Sequence, residues 1–261
     1  MRRLAGVLGG ALVVLLGLGW AGLRVQPAPF QSAATSDGTA EYAPIPTSLP
    51  APVARFYRAT YGDRVPVVKS AVVTGRGTMT LFGLTFPSRF RFNYDEARNF
   101  RTYFEITVFG FPIMRVNEYF VNGSFRAELP PGVEEGSPKL NQSANVRLWS
   151  EYLTWLPAVL LADPRVRWEA VDDELAILVV PFDQEIEKGV RKEVERIVVR
   201  FDPATGLVRY FEAMRYQSAD SPVPILWVNG VWHGAAPWAN WVVDETALNV
   251  PVDVSLTRKG P

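Results

Sequence analysis

The stretch Ser88-Arg89-Phe90-Arg91-Phe92-Asn93-Tyr94 alternates polar and aromatic side chains with a period of two. In extended backbone, successive side chains point to opposite faces, so Phe90, Phe92 and Tyr94 share one face and Arg89, Arg91 and Asn93 the other. That is the signature of a strand with one buried face. Working outward, similar runs occur at 65–81, 100–108, 113–121, 165–171, 193–201, 207–216, 225–232 and 249–257. Asn122-Gly123 and Asn229-Gly230 sit between apolar residues, where Asn-Gly favours the type I′ geometry of tight hairpins. Asp202-Pro203-Ala204-Thr205-Gly206 reads as a type I turn followed by a glycine bulge. These turns predict antiparallel hairpins rather than parallel crossovers.

Two segments break the period of two. In residues 49–61, Leu49, Val53, Phe56, Tyr57 and Tyr61 recur at helical spacing, with prolines in the first turn and Gly62 as the stop. In residues 140–162, Leu148, Tyr152, Trp155, Leu156 and Val159 do the same. Ser143 or Asn141 is expected to cap this second helix, and Pro157 to kink or divide it. The fold expected is mainly β with a few helices (α+β): one large curved antiparallel sheet covered by one or two helices, preceded by a single N-terminal transmembrane helix.

That last expectation comes from the first 25 residues. Arg2 and Arg3 precede the uncharged run LAGVLGGALVVLLGLGWAGL at 4–23, which ends at Arg24. Twenty helical residues span roughly 30 Å, the thickness of a bilayer's hydrocarbon core. Basic residues ahead of the run place the N-terminus in the cytoplasm and the C-terminal domain outside it, as a single-pass protein of the cell membrane. A secreted protein with a cleaved signal peptide is the competing reading. Residues 26–48, rich in Pro, Ala, Ser and Thr, read as a flexible tether, and 49–261 as one extracytoplasmic β-rich domain.

Composition narrows the function. The chain of 261 residues has 27 basic and 27 acidic groups, one histidine and no cysteine. Removing Arg2, Arg3 and Arg24 leaves 24 basic groups against 27 acidic, a formal charge of −3 on the remainder. A mildly acidic domain has no general electrostatic reason to bind nucleic acid. Without cysteine there are no disulfides, thiolate metal sites or cysteine nucleophiles, and one histidine excludes multi-histidine metal centres. His233, inside VNGVWHGAAPWANW at 228–241, is the only histidine base on offer, for a hydrolase using Asp244, Glu245 or Ser255. No G-x-S-x-G elbow accompanies it. Asp172-Asp173-Glu174 lacks the spacing of a calcium loop and reads as a solvated turn, and Gly75-Arg76-Gly77 as a strand bulge or bend. No catalytic residue, metal site or cofactor is assigned.

The aromatic residues carry the remaining signal. Trp149, Trp155 and Trp168 are candidates to line an apolar ligand site. Trp227, Trp232, Trp238 and Trp241 are candidates for contact with a partner or a membrane, since tryptophan favours boundaries between apolar and wet surroundings.

These landmarks occur in a particular order: Leu-Pro-x-Pro-Val at 49–53, Val-Asn-Gly at 121–123, Trp149-x-x-x-Leu153-x-x-Leu156-Pro157 with Leu160, and Val166-x-Trp168-x-Ala170-x-Asp172. Phe201-Asp202 with Gly206, the Trp-rich stretch and Val250-Pro251 complete it. In this the chain resembles an uncharacterised bacterial family of membrane-anchored proteins defined only as a domain of unknown function. In architecture it is similar, more distantly, to lipoprotein carriers of the LolA/LolB fold. A curved sheet capped by an apolar helix can enclose a hydrophobic cavity, and the function expected is that of a non-enzymatic, membrane-anchored protein binding a lipid or other apolar ligand. The alternative is an envelope-assembly module that docks a protein partner through its Trp-rich segment.

Overall fold

A computed structural model describes residues 2–33, 40–130, 132–255 and 260, with the side chains of 2–9 and 12 outside the description. Helix α1 covers Arg2–Gly22. The expected membrane span at 4–23 includes residues whose side chains lie outside the description, and among the described residues no helix is long and apolar enough to cross a membrane.

The 88–94 stretch lies in strand β4 (Leu84–Tyr94), where Phe90 and Phe92 are fully buried. It pairs in unbroken antiparallel register with β3 (Ala71–Leu81) on one side and with β5 (Phe100–Val108) on the other. The sheet continues through β6 (Phe111–Val121), β7 (Ser124–Leu129) and β8 (Gly132–Glu135). Strand β15 (Ala239–Leu248) returns from the far end of the chain to pair with β3, giving the order β15-β3-β4-β5-β6-β7-β8.

The single large sheet expected from the sequence is in fact two. After β8 the chain enters α3 (Pro138–Trp155) and α4 (Ala158–Ala162), and this long helical connection starts a second sheet instead of a further hairpin. That sheet contains β9 (Arg167–Ala170), β10 (Leu175–Glu187), β11 (Val190–Phe201), β12 (Val208–Arg215), β13 (Ile225–Val228) and β14 (Val231–Trp232), in the order β14-β13-β12-β11-β10-β9. A small pair, β1 (Tyr42–Pro44) with β2 (Arg64–Pro66), completes the strands.

Helix α3 is therefore not a cover over one face. It lies between the sheets and is buried on almost every side, with Leu148, Trp149, Tyr152 and Leu153 in the core. Its polar residues are satisfied by the second sheet: Gln142 donates to the Met214 carbonyl at 2.9 Å and Asn145 to that of Pro181 at 3.0 Å. Such pairing is required because an unpaired buried polar group costs about 1–3 kcal/mol. The cap is Ser137, whose Oγ accepts from the Leu140 amide, rather than Ser143 or Asn141. Pro157 separates α3 from α4 as expected, and the carbonyl it carries accepts a 2.9 Å hydrogen bond from Tyr57 on α2 (Ala51–Tyr61). Gly62 ends α2 at φ 76°, a left-handed conformation that glycine adopts without steric cost.

Both Asn-Gly hairpins form, Asn122-Gly123 between β6 and β7 and Asn229-Gly230 between β13 and β14, with positive φ at both residues of each pair. Gly75-Arg76-Gly77 is neither bulge nor bend, since β3 stays in register there. The irregularity is on β15, between Val243 and Glu245, opposite that segment. The two glycines let the main chain of β15 approach: a methyl at Gly77 would overlap the carbonyl oxygen of Asn240, and one at Gly75 that of Val242.

The stretch read as a tether touches the domain in part. Phe30 packs against Tyr103 at 5.8 Å between ring centres and lies under Arg89, while the carbonyls of Ala28 and Gln31 accept from Arg89 and Arg91. These arginines are the polar face of β4. The extended segment satisfies donors that a two-sided sheet would otherwise present to solvent.

Candidate functional site

The site follows from the register of the first sheet. Its inner face carries the row Val73, Phe92, Thr102, Glu118, in which aromatic and aliphatic positions give way to one hydroxyl and one carboxylate. Directly above, α3 presents Arg147 and Glu151 one turn apart. Arg147 bridges both acids, pairing with Glu118 and, at 2.6 Å, with Glu151. Thr102 donates to Glu118 at 3.0 Å and Tyr94 to Glu151 at 2.8 Å, so both carboxylates are also hydrogen bonded to neutral groups. Burial disfavours the charge on Arg147, but Glu151 and Glu118 more than offset it and hold its pKa above the ordinary guanidinium value. Burial, reinforced by the Glu151 charge, raises the Tyr94 hydroxyl well above its usual range.

This polar cluster forms part of the wall of a cavity of about 840 Å³ between the two sheets. That volume lies in the range of small-molecule sites. One wall is aromatic: Trp241 on β15 lies 5.0 Å from Phe90 and 5.3 Å from Phe92, Trp155 at the end of α3 lies 5.3 Å from Phe92, and Trp238 stands 5.9 Å from Trp241. The opposite wall comes from the second sheet through Phe211, Trp227 and Trp232, with Arg209 and Arg215 on the same strand as Phe211. Pro157, Leu207 and Thr154 also face it.

The seven tryptophans singled out from sequence separate clearly. Trp155 lines the cavity, as do Trp227, Trp232, Trp238 and Trp241. Trp149 does not. It is 1% exposed within the core, its indole donating to Asn145 at 3.2 Å. Trp168 is also absent from the lining, and packs at 6.1 Å on Phe201 from the edge strand β9. The distinction was invisible in one dimension because which neighbours each of Trp149, Trp155 and Trp168 meets depends on elements distant in the chain. The tryptophans of 227–241 come to the cavity because β15 crosses over to the first sheet while β13 and β14 stay in the second.

Sequence reasoning missed the charged residues of the site. Arg147 and Glu151 stand at i and i+4 on a helix, a spacing that by itself does not distinguish a solvated pair from a buried one. The nearest usable signal was Glu118 itself, which keeps the parity of the buried Val116 and Phe120.

His233 is exposed after β14, where its amide donates to the Leu226 carbonyl at 2.8 Å. Asp172 closes the β9–β10 turn by accepting from the amides of Glu174 and Leu175, both at 2.8 Å. Among the described residues no group of three or more histidine, aspartate or glutamate side chains is placed to hold a metal ion.

The fold and the cavity define a protein of two antiparallel sheets clasping a helix, with an aromatic-walled hollow between them. The chain belongs to the family of unknown function DUF6544, whose profile matches residues 40–235. No match was found among curated proteins. Solved structures with some likeness include a putative outer membrane lipoprotein-sorting protein domain from Vibrio parahaemolyticus, 10% identical, covering 77% of this chain and 91% of the other, with a TM-score of 0.32. A DUF1329 family protein from Desulfovibrio piger is 13% identical over 79% and 96% of the two chains, with a TM-score of 0.34. A β-barrel-like DUF1849 protein from Brucella abortus is 10% identical over 70% and 99%, with a TM-score of 0.21.

Proposed function

We propose that this protein binds a lipid or other apolar molecule in the cavity between its sheets, without chemical turnover, while held at a membrane surface. The observation that carries the reading is the cavity itself: about 840 Å³, walled by five tryptophans and by Phe56 and Phe211. Apolar surface of that extent, left against water, gains roughly 25 cal/mol for every Å² that a ligand covers. Native mass spectrometry of the full chain incubated with a broad lipid panel should display a retained apolar adduct. Thr154→Trp, which projects a ring into the cavity from an exposed position on α3, should abolish the adduct without lowering the melting temperature. Bare protein across the whole panel sinks the proposal.

The membrane part of the reading rests on two hairpin tips. Phe82 between β3 and β4 and Phe109 between β5 and β6 have φ of 50° and 52°, the position that Asn122 and Asn229 occupy in the other tight hairpins. A bulky residue there is strained where asparagine is not. Phe82 is fully in the open and Phe111 is 74% exposed, with Leu84 and Ile113 beside them also exposed. Strand alternation puts both tips at one end of the first sheet, and the Phe109 amide donates at 2.8 Å to the carbonyl of Gly22, at the end of α1. Exposed phenylalanines next to the end of an apolar helix fit entry into the interfacial layer of a bilayer. The chain lacks cysteine, so single Phe82→Cys and Val190→Cys variants can be labelled with an environment-sensitive dye. In vesicles of the full chain, spin-labelled lipid should quench the dye at position 82 several-fold more than at 190. Equal quenching would remove the tips from the membrane.

A further inference from the structure

We infer that the cavity selects an amphiphile with an anionic headgroup, and that Arg215 is the residue that receives it. This rests on the cavity reading above and adds the chemistry of the head. Arg215 ends β12 with its guanidinium against the cavity, 4.3 Å from the centre of the Trp227 ring and 5.1 Å from that of Trp232. Its Nε donates to Ser143 on α3 at 3.1 Å. Among the described residues it has no other hydrogen-bond partner, and no carboxylate stands within ion-pair distance of it. The contrast with Arg147 is sharp, because Arg147 is bridged to Glu118 and Glu151 in the same cavity.

A guanidinium presents five donors in a planar fork matched to a carboxylate or phosphate. Here one donor is used internally, and the guanidinium lies over the Trp227 and Trp232 rings, whose faces tolerate its charge. Desolvation, with repulsion from Arg147 next, brings the Arg215 pKa down to about 9, so the group stays charged at neutral pH but pays in lost hydration. An anion delivered to the free edge of the fork offsets that cost. Glu118 and Glu151 do not supply it, since their oxygens already accept from Arg147, Thr102 and Tyr94.

Of the charged side chains lining the cavity, Arg147, Arg209 and Arg215 stand against Glu118 and Glu151, a net of +1, and Arg209 is exposed, so selection rests on the free donors of Arg215 between sheet and helix rather than on a strong long-range pull on anions. The aromatic wall opposite, with Trp155 and Trp241, is where the hydrocarbon tail lies. A fatty acid and a single-chain phosphate amphiphile share this chemistry of one anionic head on an apolar chain.

The test uses the full chain held in amphipol and the fluorescent fatty acid cis-parinaric acid, read by energy transfer from the cavity tryptophans. The alcohol of the same chain is the neutral probe, and lysophosphatidic acid competes as the phosphate source. The acid should bind roughly 10- to 100-fold more tightly than the alcohol, the range for a hydrogen bond to a charged group. Arg215→Met should erase that preference by weakening the acid alone, and Arg215→Lys should retain part of it. Because Arg215 lacks an ionic partner, Arg215→Met should leave the melting temperature unchanged or raise it, whereas a structural arginine would lower it. Displacement of the probe by lysophosphatidic acid at lower concentration than by oleic acid would assign the preferred head as phosphate, and the reverse as carboxylate, each in support of an anionic head. If the alcohol binds as tightly as the acid, or Arg215→Met weakens both equally, the headgroup inference is overturned and the cavity reading stands. If neither probe binds, both fall.

Discussion

Replacing Arg147 by alanine is expected to destabilise the protein by about 3–5 kcal/mol, the cost of breaking a buried ion pair from one side. That is a large share of the total stability of a typical domain. The reason is the geometry of its two acids. Glu118 lies on the inner face of the first sheet and Glu151 on a helix enclosed by both sheets, and Arg147 is the cation that pairs with each. Its guanidinium also lies 5.6 Å from the Phe92 ring centre and 5.2 Å from that of Phe100, so alanine removes packing as well as charge. Urea denaturation should show the midpoint falling at unchanged slope. Adding Glu118→Gln and Glu151→Gln to Arg147→Met should restore much of the loss, because the uncompensated charges go with the cation. A loss below about 1 kcal/mol for Arg147→Ala, typical of an exposed pair, would refute the account.

The second large effect is expected at Gly77. A methyl there meets the main-chain oxygen of Asn240, which has no rotamer into which to retreat, so β15 has to move. Overpacking of this kind costs about 1–3 kcal/mol and sometimes more. The consequence reaches the cavity, since β15 carries Trp241 and begins next to Trp238. Gly77→Ala should therefore lose amide protection along 239–248 in hydrogen exchange and weaken ligand binding, while β4 to β6 stay protected. Gly132→Ala is the control, as a methyl there meets nothing within 4 Å. Wild-type protection of β15 in Gly77→Ala would mean that the two strands do not depend on the close approach.

The two predictions concern the same construction from opposite sides. Arg147 holds α3 to the inner face of the first sheet, and the glycines of β3 admit the returning strand that closes the aromatic wall. The cavity exists because a helix and a strand distant in sequence meet one sheet at neighbouring rows.

Much of this was legible locally. The period of two at 88–94 gave a strand with Phe90 and Phe92 inward, the Asn-Gly pairs gave two hairpins, and Gly62 and Pro157 marked where helices end. Each of these rests on an interaction within a few residues: alternation of side chains, positive φ at a turn, a missing amide donor. Residues 40–235 likewise carry enough local pattern to place the chain in its family.

The number of sheets, the enclosure of α3, the role of Gly75 and Gly77, and the division of the tryptophans into core and cavity were decided only in three dimensions. All depend on partners far along the chain, such as Gly77 with Trp241 in register or Glu118 with Arg147. Local sequence fixes which way a side chain points from its own strand or helix. What it points at, and whether an arginine such as Arg215 finds an acid there or an open cavity, is set by how the two sheets close on the helix between them.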